Sequence, residues 1–169
     1  MIQTYYGYGK GKTTASVGAV IRFAGCKNKV LFAEFLKDDS SSEINILNSL
    51  EDVEVVCSDE CYKLYDNLKC ERTEALTNAY TNLLECIKNK ADSAKMIVLD
   101  EILDAIEFGY VNEDDFIYWL NSIKNNCEII LTGHKLTEKI SEISDYISEI
   151  KEIKHPYTKG SLPRKGIEF

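Results

Sequence analysis

The sequence predicts an α/β fold with a mostly parallel central sheet and helices on both of its faces. Short apolar runs alternate with longer runs whose apolar residues recur at helical spacing, as expected for parallel βαβ units. A glycine-rich loop separates the first apolar run from the first helix. The chain has only two prolines and no glycine- or serine-rich linker, so we expect residues 1–169 to form a single domain.

Six strands are predicted, at residues 2–6, 29–35, 53–57, 96–100, 128–132 and 147–153. The second is mostly apolar, which is typical of a strand buried on both faces. Helices are predicted at about 13–24, 42–50 and 71–90, near Leu103, and at 113–121 and 137–143. We expect Gly25 to cap the first helix at its C-terminus, Ser42 to cap the second at its N-terminus, and Trp119 to lie in the core.

The loop YYGYGKGKTT, residues 5–14, has the features of a phosphate-binding loop. The general pattern is G-x-x-x-x-G-K-[ST]; residues 11–13 match its end, but Tyr6 replaces its first glycine. Gly7 and Gly9 restore the freedom to turn backbone N–H groups toward an anion. The alternative dinucleotide pattern, G-x-G-x-x-G, fails because residue 12 is lysine.

Two side chains of this loop have the chemistry that a nucleoside triphosphate requires. Lys12 supplies a mobile cation to phosphate oxygens, and the Thr13 hydroxyl is a ligand for Mg²⁺. The helix that follows adds the positive end of its dipole. The loop therefore predicts a triphosphate site with a divalent cation.

The run MIVLDE, residues 96–101, supplies the acidic half of such a site. An apolar strand that ends in Asp100 and Glu101 is the usual partner of a phosphate loop, since its carboxylates hold Mg²⁺ directly or through water. Two further segments fall where a ligand is expected, at the ends of strands. They are LTGHK, with Gly133 and His134, and the basic tail from Lys154.

Composition narrows the class of protein. The net charge of −8 argues against a partner with a phosphate backbone, such as nucleic acid. No run is long and apolar enough to span a bilayer, and the opening residues lack the pattern of a signal peptide. The six cysteines form no C-x-x-C pair and are expected to be reduced thiols in a cytoplasmic protein. Only three arginines occur, which weighs against phosphoryl transfer assisted by an arginine-bearing lid.

Together the motifs resemble the P-loop class of ATP:corrinoid adenosyltransferases, which are dimeric α/β enzymes. The resemblance covers nearly the whole chain and implies a P-loop NTPase-like fold. The matching segments are GYGKGKTT (7–14), Phe35–Lys37, Glu43 with Asn45, Leu99–Glu101, Thr132–His134, Lys154–His155 and KGIEF (165–169).

The resemblance implies transfer of the 5′-deoxyadenosyl group of ATP to the Co(I) of a reduced corrinoid, with release of triphosphate, in adenosylcobalamin synthesis or salvage. It implies ATP as co-substrate, Mg²⁺ or Mn²⁺, a homodimer and a flavoprotein-type reductant, with no nucleic-acid or membrane partner. Catalytic roles fall to Lys12, Thr13 and Glu101, and metal binding to Thr13, Asp100 and Glu101. The residues implied to bind ATP or the corrinoid are Gly7, Gly9, Lys10, Gly11, Lys12, Thr13, Thr14, Lys37, Glu43, Asn45, His134, Lys154 and His155.

The chain departs from the family pattern at three places. Tyr8 stands where asparagine is usual, and His134 stands where arginine is usual. The segment DECYKLYDN, residues 59–67, replaces an aromatic pair that contacts the corrinoid in better-known members. The altered segment keeps one alternative open, a protein that binds ATP and corrinoid without catalysis. A second alternative, a P-loop small-molecule kinase or NTPase, rests on the same loop and on the run LDE.

Overall fold

The computed structural model describes residues 1–36, 41–57, 74–154, 156, 160, 162 and 164–167 of the 169-residue chain. The strands are β1 (Ile2–Tyr6), β2 (Val30–Glu34), β3 (Val53–Val56), β4 (Met96–Asp100), β5 (Glu128–Gly133) and β6 (Tyr146–Glu149). The helices are α1 (Lys12–Ala24), α2 (Ser42–Leu47), α3 (Glu74–Lys90), α4 (Ile102–Glu107), α5 (Glu113–Ile123) and α6 (Glu138–Ile143), with a short 3₁₀ turn at Ala91–Ser93. No helix within these described ranges is long and apolar enough to cross a membrane.

The six strands form one sheet in the order β3-β2-β4-β5-β1-β6, and every neighbouring pair is parallel. The sheet is therefore fully parallel among the described strands, where the sequence predicted a mostly parallel one. All carboxyl ends lie at one edge, which brings together the loop after β1 and the residues that follow β4 and β5.

Helices cover both faces of the sheet, as predicted. One core cluster joins α1 and α2 to side chains such as Phe32 and Val98, while the larger cluster joins α3, α4, α5 and α6 to Leu31 and Leu99. All five residues of β2 are buried, which confirms that this strand is covered on both faces. Trp119 packs against the larger cluster, in agreement with the core position predicted for it.

Gly25 is the C-cap of α1, as predicted; it has right-handed geometry (φ −58°), and Lys27 adopts the left-handed conformation (φ 62°). Two local predictions need correction. The last strand ends at Glu149 instead of Ile153, and the Ile150 backbone that follows bonds to Tyr6 and to Gly9 of the loop after β1. The N-cap of α2 is Ser41, and its hydroxyl donates to the carboxylate of Glu34 instead of capping the helix.

Candidate functional site

The loop between β1 and α1 is fixed by backbone hydrogen bonds to two neighbouring strands. The Gly7 N–H donates to the carbonyls of Gly133 (3.2 Å) and His134 (3.1 Å) at the end of β5. On the other side, Gly9 N–H donates to the Ile150 carbonyl (2.8 Å), and Ile150 N–H donates to the Tyr6 carbonyl (2.7 Å). The loop is thus held in place before any ligand arrives, which reduces the ordering cost of binding.

Glycine is required in this loop because the backbone after β6 lies against it. A Cβ on Gly7 would lie 2.4 Å from the Ile150 carbonyl oxygen, and one on Gly9 would lie 2.7 Å from the same atom. Gly7 has φ +115° and Gly11, which begins α1, has φ +118°, a region that side-chain-bearing residues rarely adopt. Close packing and conformation together explain the extra glycines that the sequence shows here.

Gly7→Ala is expected to lower the free energy of unfolding by about 1–3 kcal/mol and to weaken ATP binding, since the new Cβ must displace backbone. Gly18→Ala is the matched control, because Gly18 lies inside α1 with no atom within 4 Å of an added Cβ. That control should gain about 0.5–1 kcal/mol from helix propensity. Urea unfolding and ATP titration measure both variants, and equal behaviour of the two would contradict the close-packing argument.

Lys12 is the buried cation of the loop. Lys12 is the first residue of α1, and only 7% of it is exposed. Its Nζ donates to the carbonyls of Gly7 (2.8 Å) and Gly9 (3.2 Å). An ammonium group is rarely buried unless paired, because removing a charge from water is costly. The geometry holds this cation inside the curve of the loop, where it is available to an anion.

Asp100 is the centre of a directional hydrogen-bond network that joins β4, β5 and α1. The Thr13 hydroxyl donates to Asp100 Oδ2 (2.9 Å), and the Thr132 hydroxyl donates to Asp100 Oδ1 (2.7 Å). Thr132 Oγ1 accepts from the Glu101 backbone N–H (2.8 Å), which leaves its hydrogen for Asp100. Both carboxylate oxygens therefore accept, which fits an ionised Asp100.

The donor set around this network fits a hard divalent cation. Thr13 offers a hydroxyl oxygen, while Asp100 and Glu101 offer carboxylate oxygens, and oxygen ligands are those that Mg²⁺ prefers. Glu101 has a left-handed backbone (φ 61°) at the start of α4, a costly conformation for a residue that is not glycine. Such strain is common at functional sites, and here it affects a residue that the sequence had assigned to metal binding.

Asp104 fixes the turn that carries His134. It is 3% exposed, and its two oxygens contact the His134 backbone N–H (3.1 Å) and ring Nδ1 (3.0 Å). A Cβ on Gly133 would lie 2.8 Å from Asp104 Oδ2, so only glycine leaves room for this carboxylate. Glu101 Oε2 lies 3.8 Å from the same His134 nitrogen. The carboxylates of Asp104 and Glu101 therefore both lie beside the His134 imidazole, at the edge of the site.

The pKa of Asp104 lies below its ordinary value. Burial alone raises it, but hydrogen bonds with His134 and Glu101 and the nearby His134 charge outweigh burial and lower it. Because the pKa falls on folding, this stabilisation is present above about pH 4 and is lost as the pH drops through the folded-state value.

Asp104→Asn should therefore lower the free energy of unfolding by about 1–3 kcal/mol near pH 7, because a buried charged hydrogen-bond partner is lost. The difference from the unmodified protein should shrink as the pH falls below about 4. Urea unfolding in metal-free buffer at a series of pH values measures this. A difference that is constant down to pH 2 would show that the ionised carboxylate contributes nothing.

Two of the three departures from the family pattern, Tyr8 and His134, contact each other. The rings of Tyr8 and His134 pack at a centroid distance of 5.3 Å with a tilt of 44°. Tyr8 is 62% exposed, so its ring lies over the outside of the loop instead of crowding the space in front of it. This explains sterically how a large ring is accommodated next to the phosphate-binding glycines.

A cavity of about 420 Å³ opens in front of α1. It is lined by Lys10, Gly11, Lys12, Thr13, Thr14, Val17, Ser42, Glu43, Ile46, Glu101, Gly166 and Ile167. Its chemistry changes from cationic and hydroxyl groups at the loop to apolar groups on α1, α2 and the tail. Gly166 and Ile167 of the C-terminal tail are among the lining residues, so this part of the tail lies against the cavity.

Seven of the fifteen predicted site residues line this cavity: Lys10, Gly11, Lys12, Thr13, Thr14, Glu43 and Glu101. Gly7 and Gly9 form the loop behind it, Asp100 lies beneath it, and His134 lies beside Glu101. Asn45 and Lys154 are exposed and are not among the residues that line it. Lys37, His155 and residues 59–67 lie outside the described part of the chain.

Sequence reasoning missed four contributors: Glu34, Asp104, Thr132 as a hydrogen-bond relay, and the Ile150 carbonyl. Glu34 had a detectable signal, since it is an acidic residue at the end of an otherwise apolar run. Asp104 had a weaker one, a second acid one helical turn after Glu101. The contact of the Ile150 carbonyl cannot be predicted from the sequence, because every residue has a backbone carbonyl.

The fold and this site define a P-loop nucleotide-binding protein: a parallel sheet, a glycine-rich loop that opens a helix, and an acidic residue at the end of a nearby strand. The cytoplasmic domain of EssC, a solved structure, shares the fold with a TM-score of 0.58 at 12% identity, over 97% of this chain and 33% of that one.

The family model described as ATP:corrinoid adenosyltransferase BtuR/CobO/CobP matches residues 1–169, and the chain belongs to this family of transferases. A corrinoid adenosyltransferase from Sinorhizobium sp is 27% identical over 96% of this chain and 77% of its own length. A corrinoid adenosyltransferase from Escherichia coli K12 is 26% identical over 100% of this chain and 85% of its own. The corresponding protein of Salmonella typhimurium is 27% identical over 100% and 85%.

Proposed function

We propose that the cavity in front of α1 binds ATP with its triphosphate in the loop, and that the protein transfers the 5′-deoxyadenosyl group to a reduced corrinoid. The observation that carries the proposal is the preformed loop with Lys12 buried inside it and the Thr13–Asp100 pair beside it. The family to which the chain belongs supplies the corrinoid as the acceptor.

The loop recognises the triphosphate by charge and by backbone donors. Lys12 exchanges its bonds to the Gly7 and Gly9 carbonyls for phosphate oxygens, which pairs its buried positive charge with an anion. Lys10, Thr13 and Thr14 line the same end of the cavity, and the N-terminus of α1 adds its partial positive charge. Neutralisation of the triphosphate makes it a good leaving group.

Thr13, Asp100 and Glu101 would hold the divalent cation. Mg²⁺ bound there would supply further positive charge to the triphosphate oxygens. Asp100 orients the Thr13 hydroxyl, and Thr132 orients both Asp100 and the Glu101 backbone. These contacts fix the ligand atoms before the cation arrives, as outer contacts do in other metal sites.

The reaction needs positioning more than proton transfer. A Co(I) centre carries an available electron pair, so no protein base is needed to activate it. The cobalt–carbon bond forms at C5′ as the C5′–O bond breaks, and the electron pair of that bond leaves with the triphosphate. The protein therefore has two tasks: to stabilise the leaving charge and to hold C5′ where the cobalt reaches it.

The apolar end of the cavity suits the nucleoside. Val17, Ile46 and Ile167 offer apolar contacts, while Glu43 and Ser42 offer hydrogen-bond acceptors and donors. We assign Glu43 to the nucleoside or the corrinoid side, and His134 to the open edge beside Glu101. The exposed positions of Asn45 and Lys154 fit contacts outside the cavity, with the corrinoid or a second subunit.

A homodimer, a flavoprotein-type reductant and a cytoplasmic location complete the proposal. The first two come from the resemblance to the family, and the third from the cysteine content.

The proposal is tested by incubating the protein with ATP, Mg²⁺ and a chemically reduced corrinoid, and following the optical spectrum. Formation of an adenosyl–cobalt product that stops when the divalent cation is chelated is the expected result. Comparing complete cobalamin with an earlier corrinoid precursor shows which acceptor is preferred. Tight binding of ATP and corrinoid with no product under strong reduction would show a binding protein instead.

A further inference from the structure

Glu34 is a buried carboxylate that lies directly beside Asp100. It is the last residue of β2, it is 1% exposed, and it is in register with Asp100 of the neighbouring strand β4. Neighbouring strands lie about 4.8 Å apart, so two fully buried acidic residues occupy adjacent positions at the carboxyl edge of the sheet.

Both side chains point to the face of the sheet that carries α1. Side chains alternate between faces along a strand, and Val30 and Phe32 of β2 lie in the same core cluster as Met96 and Val98 of β4. Continuing the alternation by two residues places Glu34 and Asp100 on that same face. The Thr13 hydroxyl, at the start of α1, is bonded to Asp100 there.

Two negative charges this close in a buried site repel each other strongly, because the surroundings screen them little. Thr13 and Thr132 donate to Asp100, and Ser41 donates to Glu34 Oε1 at 3.3 Å. These three donors are neutral hydroxyl groups, which bring no positive charge to the pair. A divalent cation in front of both carboxylates would offset the repulsion.

We propose that Glu34 is a third carboxylate of the divalent-cation site and acts through a cation-bound water molecule. The inference rests on the proposed binding of Mg²⁺ by Thr13, Asp100 and Glu101. Glu34 is not among the residues that line the cavity, so contact through water fits its position better than direct ligation.

The test is Mn²⁺ binding to the full chain with ATP present and corrinoid absent, measured from the free-Mn²⁺ signal in electron paramagnetic resonance. Glu34→Gln keeps the shape of the side chain and removes its charge. We expect it to weaken Mn²⁺ affinity by about tenfold or more, the usual effect of losing an outer partner of a metal site. Glu85→Gln, an exposed change on α3, is the matched control and should bind Mn²⁺ normally.

Ser41→Ala separates a role toward the cation from a purely structural one. It removes the Ser41 hydrogen bond to Glu34 but keeps the charge, so Mn²⁺ affinity should stay within about twofold of the unmodified protein. Unchanged Mn²⁺ affinity in Glu34→Gln would overturn the proposal, whether or not stability falls. Absence of Mn²⁺ binding in the unmodified protein would overturn the cation site itself. Failure of adenosyl transfer with the Glu34 effect intact would overturn only the proposed function.

Discussion

Lys12→Ala is expected to lower kcat for adenosyl transfer by about 10²–10³-fold, the largest effect of any single side chain in the site. Removing one charged or hydrogen-bonding group that faces a developing negative charge typically costs that much. Lys12 is the buried cation of the loop, and its Nζ already lies within hydrogen-bonding distance of two loop carbonyls, Gly7 and Gly9. Steady-state kinetics with saturating ATP and reduced corrinoid measure the effect.

Lys95→Ala is the control for charge removal. Lys95 is exposed and immediately precedes β4, at the opposite edge of the sheet from the cavity. It should leave turnover within about twofold, since surface charges far from a site contribute little. If Lys12→Ala retained near-normal kcat, the leaving group would have to be stabilised elsewhere, and the assignment of the loop would be wrong.

Asp100→Asn is expected to lower turnover by about 10–100-fold and to raise the Mg²⁺ concentration needed for half-maximal rate. Asp100 accepts two hydroxyl hydrogens on two different oxygens, from Thr13 and Thr132. Asparagine accepts on one atom and donates on the other, so only one of the two hydroxyls can keep donating to residue 100 and the other must turn to accept. The change therefore removes a charge and reverses one of the two hydrogen bonds.

Asp145→Asn makes the same chemical change at the far edge of the sheet. Asp145 Oδ2 accepts from the Ile2 N–H (2.7 Å) and lies just before β6, so this variant should alter stability without altering Mg²⁺ dependence. Rate measurements across a Mg²⁺ series distinguish the two variants. Equal Mg²⁺ dependence of both would mean that Asp100 has no role toward the cation.

The sequence predicted the sheet, its helices and the position of the site because the relevant signals are local. A glycine-rich turn, a following helix and an apolar strand that ends in Asp100 each appear in a few consecutive residues. The parallel alternation then places the carboxyl ends of the strands at one edge, so the loop and Asp100 had to be close.

What the sequence did not predict depends on contacts between distant segments. The backbone of Ile150 ends β6 early because it bonds to Gly9 and Tyr6, and backbone groups carry no signature in the residue type. Asp104 contacts His134, which lies 30 residues later in the chain. Glu34 lies beside Asp100 because β2 and β4 pair in a register that the sequence does not specify. Tyr8 is accommodated in the loop because its ring packs outward against His134, which also departs from the family pattern. This contact joins segments that are distant in the sequence.

The most direct test of the account asks which bond of ATP is broken. Phosphorus NMR of a reaction containing the protein, ATP, Mg²⁺ and reduced corrinoid identifies the phosphate product while the optical spectrum follows the cobalt. The account predicts one intact triphosphate for each adenosyl–cobalt bond formed, with neither product in Lys12→Ala on the same time scale. ADP with free or transferred phosphate, and no adenosyl–cobalt product, would contradict it and identify the protein as a phosphoryl-transfer enzyme.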